Sequence, residues 1–390
     1  MKGNKFRLFS SWRILLCLCL FSSFGYSGKV KMESEDSLFQ SMYYTGVLLK
    51  ESGNYAAAVM TFNRLLQTDS TFSMAYFQRA QCYVKLRKNA MAIADFNAAL
   101  KYGLSWAESV SSYYSRAKIY LDCHDFENAL IDLDVVLMLN PEYVEAYFNR
   151  SIVRGRMGEY QGELEDISKV IELDSLDYRA WNSRGIVKSV LGDYFGAISD
   201  YSKSIDLNDS IDEAYFNRAV IHYELNHFTD AVLDFTHSIR LNPDAESYNR
   251  RGNARHKLDD LQGALKDYSQ AVRMEPTSFV GYFNRGMLQL ELKKYESAFR
   301  DFSKSILLNP DYALHYYYRA LTRKKMNDSV GAIADVETAL FYDADFSDAW
   351  YLKGLLEFDR NHFLESCRYM QTAYTLGSQK ALDFLYEFCK

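Results

Sequence analysis

The chain has 390 residues, 48% of them apolar and 25% charged, with 31 Tyr, 25 Phe and only 4 Pro and 19 Gly. That balance excludes long disordered tracts, and a net charge of −6 makes nucleic acid a poor partner. Length alone would suggest two or three domains, but an internal period removes that inference, because an array grows in one dimension without enlarging a core.

Lys2, Lys5, Arg7 and Arg13 precede an apolar run from Ile14 to Phe24, broken by Ser22 and Ser23 and followed by the small residues Gly25, Ser27 and Gly28. This is a secretory signal pattern, expected over residues 1–27. The run of eleven residues falls short of the roughly 20 needed to cross a bilayer, so no transmembrane segment is expected after cleavage. Cleavage would take the net charge from −6 to −10 and place the protein in the periplasm, the cell envelope or the medium. Residues 28–38 read as a short linker. Such a compartment permits disulfides. Of Cys82, Cys123, Cys367 and Cys389, the last two either join or remain buried thiols.

From Phe39 the chain repeats. Tyr147-Phe148-Asn149-Arg150 returns as Tyr215-Phe216-Asn217-Arg218 and as Tyr282-Phe283-Asn284-Arg285, 68 and 67 residues on. Looser copies, Trp181-Asn182 with Arg184 and Tyr248-Asn249 with Arg251, lie midway, so the period is about 34. In a common register ten repeats begin at Phe39, Ser73, Val110, Val144, Tyr178, Asp212, Ala245, Phe279, Ala313 and Ser347. Position four is aromatic or Met, position eight is small, and Ala holds position twenty in eight repeats. Pro141, Pro243, Pro276 and Pro310 all fall at position thirty-two, where a second helix must stop. Each unit therefore predicts a helix, a tight turn such as Leu191-Gly192-Asp193, and a second helix.

This spacing resembles the tetratricopeptide repeat family over residues 39–377. The resemblance implies an all-α, right-handed α-solenoid of antiparallel helix pairs, its concave groove lined mainly by the first helices. It also implies a protein- or peptide-binding adaptor or assembly scaffold. Residues 378–390 read as a capping helix. Three extra residues within Lys101 to Ser109 are expected to bend the array.

The family's commonest residue at position seven is Leu, but eight repeats here have Arg, and the same eight have Asp at position twenty-three. The two positions are equidistant from the turn and stand level across the helix pair. This predicts the ion pairs Arg79–Asp95, Arg116–Asp132, Arg150–Asp166, Arg184–Asp200, Arg218–Asp234, Arg251–Asp267, Arg285–Asp301 and Arg319–Asp335, fixing register more than adding net stability. The alternative is an arginine ladder for an acidic ligand.

Position five, expected on the concave side in this family, is aromatic in eight repeats: Tyr43, Phe77, Tyr114, Phe148, Phe216, Phe283, Tyr317 and Tyr351. Asn182 and Asn249 take it in the other two, while Asn149, Asn217 and Asn284 stand at position six. An amide once per repeat has the donors and acceptor to clamp an extended peptide backbone, and it looks like the asparagine ladder of O-linked N-acetylglucosamine transferase. The plainer alternative is that these amides bond within the stack. A glycan-binding groove using the aromatics is a second function, and a structural spacer a third.

No phosphate-binding loop, serine-nucleophile elbow or zinc motif stands in the sequence, so catalysis and cofactors are not expected. Of the seven histidines only His222 and His227 are close. Their spacing does not share one helical face, and no metal is expected. Two basic clusters, Arg250, Arg251, Arg255, His256 and Lys257, and Arg323, Lys324 and Lys325, read as solvated surface or as a dock for an acidic partner.

Overall fold

The computed structural model describes residues 29–389, with side chains from residue 37. The signal segment expected over residues 1–27 lies outside the described residues. Those residues form 21 helices and no strand, and no helix among them is long and apolar enough to cross a membrane. The chain divides into two compact units, residues up to Met157 and residues from Gly158.

Unit 1 holds α1 (Lys29–Glu51), α2 (Tyr55–Thr68), α3 (Ser73–Lys85), α4 (Asn89–Tyr102), α5 (Trp106–Asp122), α6 (Phe126–Leu139) and α7 (Val144–Met157). Unit 2 holds α8 (Tyr160–Leu173), α9 (Tyr178–Val190), α10 (Tyr194–Leu207), α11 (Asp212–Glu224), α12 (Phe228–Leu241), α13 (Ala245–Lys257) and α14 (Leu261–Met274). It continues with α15 (Phe279–Glu291), α16 (Tyr295–Leu308), α17 (Ala313–Lys325), α18 (Ser329–Tyr342), α19 (Ser347–Asp359), α20 (Phe363–Thr375) and α21 (Gln379–Phe388). Eight of the first helices start at the residues the repeat register predicts. Two start early. Helix α1 extends back over the stretch read as a linker, and α5 begins at Trp106 rather than Val110. The extra residues before the third repeat are thus absorbed as one more helical turn, entered after Gly103 at φ 92°, with Trp106 Nε1 donating to the Leu139 carbonyl at 3.3 Å.

The small residue at position eight has a specific partner, the large side chain at position twenty-four. A methyl group on Gly185 would sit 2.6 Å from the Tyr201 ring, one on Gly252 2.6 Å from Tyr268, and one on Gly46 2.6 Å from Phe62. Glycine is what lets these helix pairs close. At position fifteen every repeat turns through a left-handed residue: Gly53, Arg87, His124, Gly158, Gly192, Asn226, Asp259, Lys293, Asn327 and Asn361. Only three of the ten are glycine; Asn226, Asp259, Asn327 and Asn361 are of types that tolerate this region, while Arg87, His124 and Lys293 adopt it at a cost.

Within unit 2, α21 covers the end of the last repeat. Ala381 and Phe384 pack on Met370 and Ala373, with Trp350, Tyr351 and Phe358 around them. A disulfide joins Cys367 of α20 to Cys389 just past α21.

Candidate functional site

Seven of the predicted ion pairs lie within a single unit, and all seven are formed, at 2.5 to 2.8 Å. The pairing is two-pronged. In the fifth repeat, for example, Arg184 Nε and Nη2 donate to Asp200 Oδ2 and Oδ1, both at 2.8 Å. The eighth expected pair, Arg150 with Asp166, has one member in each unit; within unit 1, Arg150 Nη1 donates to Asp134 Oδ1 at 2.6 Å.

That last bond belongs to a rule the sequence reading missed. The third prong of the position-seven arginine reaches position twenty-five of the preceding repeat: Arg79 to Asn63 at 2.6 Å, Arg218 to Ser202 at 2.8 Å, Arg251 to Thr236 at 3.1 Å, and Arg116 to Asn97. Each guanidinium also lies over the aromatic ring at position four, from 4.8 Å for Arg184 on Trp181 to 5.8 Å for Arg218 on Tyr215. One planar group thus makes a two-pronged bond to a carboxylate while also reaching the neighbouring repeat and a ring, a fork that a lysine's ammonium does not have. For Arg218, burial works against the charge, but the bonds to and charge of Asp234 outweigh it and raise the pKa further. These arginines are internal staples, so the ladder for an acidic ligand is not available to solvent. In the last repeat Lys353 takes the arginine's place and lies 4.7 Å from the Tyr369 ring, while its ammonium reaches Glu337 at 3.0 Å.

The position-five rings are buried or half-buried, none exposed. They pack on position twenty-four of their own repeat, as Phe216 on Phe235 at 5.6 Å and Phe283 on Phe302 at 5.9 Å. They also pack on the entry to the next repeat, as Tyr114 on Tyr143 and Tyr317 on Phe346, both at 4.9 Å. The sequence pattern placed these rings on the first helix but did not carry the neighbouring repeat that covers them. The amides lie in the same layer, and one of them bonds within it. Asn149 Nδ2 donates to the Tyr114 hydroxyl at 2.9 Å, and Asn182 and Asn249 are only 5% and 8% exposed. Their Oδ1 atoms, and Nδ2 of Asn217, are buried without a hydrogen-bond partner. Asn284 is half-buried.

Unit 1 holds open space away from these residues. Two adjoining cavities of about 450 and 540 Å³ share Val84 and Ser115. The first is walled by Lys50, Glu51, Gln81 and Lys85, the second by Arg87, Lys118 and Asp122. These residues come mostly from positions nine, twelve and thirteen of α1, α3 and α5, not from position five. The Lys50 ammonium is held at the wall by Gln78 and Gln81, at 2.5 and 2.7 Å. Beneath it Cys82 is fully buried, and burial pushes its thiol up to about 11, with Lys50 pulling the other way.

The two basic clusters are largely spent on internal partners. Arg255 bonds Asp267 at 2.8 Å, Arg250 bonds Glu246 at 2.8 Å, and His256 meets Glu291 at 2.7 Å. Arg323 bonds Asp335 at 2.9 Å and Lys324 pairs with Asp359.

His222 and His227 do not belong to one helix: His222 stands near the end of α11 and His227 caps the start of α12. The turn between them brings both rings and Asp230 together, with one ligand atom from each within 4.8 Å of the others.

Family models described as tetratricopeptide repeat match residues 40–70, 75–102, 212–245, 245–278 and 281–312. Human sperm-associated antigen 1 is 26% identical over 112 residues, 29% of this chain and 12% of that protein; the matched stretch is thus a small part of that relative. Among solved structures, a tetratricopeptide repeat protein from Parabacteroides merdae is 18% identical with a TM-score of 0.48, covering 63% of this chain and 99% of its own. YrrB, described as a tetratricopeptide repeat protein with an unusual peptide-binding site, is 19% identical with a TM-score of 0.45, covering 49% and 98%. The period, the helix pairs and the matched repeats agree: the chain is a tetratricopeptide repeat protein, an all-helical array of about ten repeats.

Proposed function

We propose that the chain is a non-catalytic adaptor or assembly scaffold of the cell envelope, exported by its N-terminal segment, which holds an extended acidic segment of a protein partner along α1, α3 and α5. One observation carries this reading: the adjoining cavities of unit 1 are walled by Lys50, Lys85, Arg87 and Lys118 against Glu51 and Asp122. A positive wall in an acidic chain favours an acidic ligand and speeds its encounter. The Gln81 and Ser115 side chains add donors and acceptors for a peptide backbone. The Cys367–Cys389 disulfide suits an oxidising compartment. A glycan is the weaker ligand, because sugar stacking needs a free ring face and the position-five rings are packed inside the array.

The test is a pull-down from envelope extract with the full chain and with Lys50→Ala/Lys118→Ala. The expected result is a partner captured by the wild type and released at lower salt from the double variant, with unchanged helical content. Equal capture and equal salt dependence would remove the site from these cavities.

A further inference from the structure

Position eleven of a repeat stands over the buried aspartate at position twenty-three. In the fifth, seventh and ninth repeats it is a permanent cation bonded to that aspartate: Lys188 to Asp200 at 2.8 Å, Arg255 to Asp267 at 2.8 Å, Arg323 to Asp335 at 2.9 Å. The same three repeats start their second helix with an aspartate cap and place Gly three residues on: Asp193 and Gly196, Asp260 and Gly263, Asp328 and Gly331. The glycine leaves room for that cap, since a methyl group would lie 2.0 to 2.3 Å from the capping carboxylate as it stands.

The sixth repeat departs at all three positions together. Position eleven is His222, the cap is His227, which makes no side-chain capping bond, and the glycine is replaced by Asp230 in the first turn of α12. His222 Nε2 stands 3.9 Å from Asp234 Oδ2, too far for a hydrogen bond, and its Nδ1 is buried with no partner. The His222 and His227 rings lie 5.9 Å apart between centroids. Two of these departures give up a structural bond, the capping bond at His227 and the bond to the aspartate at His222, and with Asp230 they bring together two imidazoles and one carboxylate at the turn. The residue types are those of a borderline divalent cation rather than of calcium or magnesium, which prefer all-oxygen sites.

We propose that His222, His227 and Asp230 form a zinc site, three protein ligands with a fourth position left to water or to a side chain of a partner. Tetrahedral zinc wants its ligand atoms about 3.3 Å apart. The present spread, within 4.8 Å, closes by about 1.5 Å through rotation of the exposed His227 and Asp230 side chains. Asp234, fixed by Arg218 at 2.7 Å, stands behind His222 as the carboxylate that orients a ligating ring.

The test is calorimetric titration of Zn²⁺ alone into the full, untagged, chelator-stripped chain, repeated with His227→Ala, Asp230→Asn and the control His237→Ala. His227 and Asp230 are exposed, so their variants remain folded; a circular-dichroism melt verifies it. The expected result is one Zn²⁺ per chain for the wild type and His237→Ala, with affinity at least tenfold weaker in either ligand variant. Absorption of the Co²⁺-loaded wild type in the tetrahedral visible band, lost in both ligand variants, is the second readout. No saturable binding by the wild type, or binding that all variants retain equally, overturns the proposal.

Discussion

The sixth and seventh repeats have the same helix pair, the same arginine and the same buried aspartate, yet they neutralise that aspartate differently. In the seventh, Asp267 accepts from both Arg251 and Arg255, at 2.7 and 2.8 Å. In the sixth, Asp234 is paired with Arg218 alone, and His222 stands 3.9 Å off. Burial lowers the His222 pKa, more than Asp234 raises it, so the ring rests neutral there. A repeat scaffold therefore fixes where a side chain stands and leaves its chemistry open: one residue at position eleven decides between a permanent triad and a pair with a neutral ring beside it.

The largest effect should come from removing the carboxylate. Asp267→Ala takes the shared carboxylate from the buried Arg251 and the half-buried Arg255, and a loss of about 3–5 kcal/mol is expected in urea unfolding. Asp234→Ala, which orphans one, should lose clearly less; equal losses would mean that the second arginine contributes nothing. Arg255→His rebuilds the sixth repeat's arrangement in the seventh and should lose about 1–2 kcal/mol, the worth of a charge-assisted bond, read from the shift in unfolding midpoint.

A neutral buried imidazole also predicts a pH dependence, cleanest at His315, which is fully buried among Phe279, Phe283 and Tyr312 near the Ser305 hydroxyl. Burial lowers its pKa below the ordinary 6.5, with the Asn309 backbone pulling the other way. The folded state thus disfavours the protonated ring. Stability from this group is present above pH 6.5 and is lost as the pH falls below it. His315→Gln should flatten the melting temperature between neutral and mildly acidic pH relative to the wild type. An unchanged slope would show that the ring is not the titrating group.

The smallest expected effect returns to the paired repeats. Their turns pass through Asn226 and Asp259, both at φ 61°. Glycine relieves the left-handed strain at either, by up to about 1 kcal/mol in Asp259→Gly and less in Asn226→Gly, since asparagine tolerates that region better. Thermal melts of the two single variants would rank them.

The sequence by itself determined the helix pairs, the register and the arginine–aspartate staples. Those follow from the period, because positions seven and twenty-three are level whenever two helices fold back about one turn. The buried face was legible for the same reason: small residues at position eight and prolines at thirty-two have only one place in such a pair. Only the tertiary structure decided what each first-helix residue faces. Phe216 and Asn249 carry a periodicity that suits a groove, but the neighbouring repeat covers them, and a period does not tell which side a neighbour takes. The third prong of Arg79 to Asn63 and the convergence of His222, His227 and Asp230 were hidden likewise. Each joins residues on different helices, across a repeat boundary or around a turn, where contact depends on how the elements close in space rather than on spacing along either one.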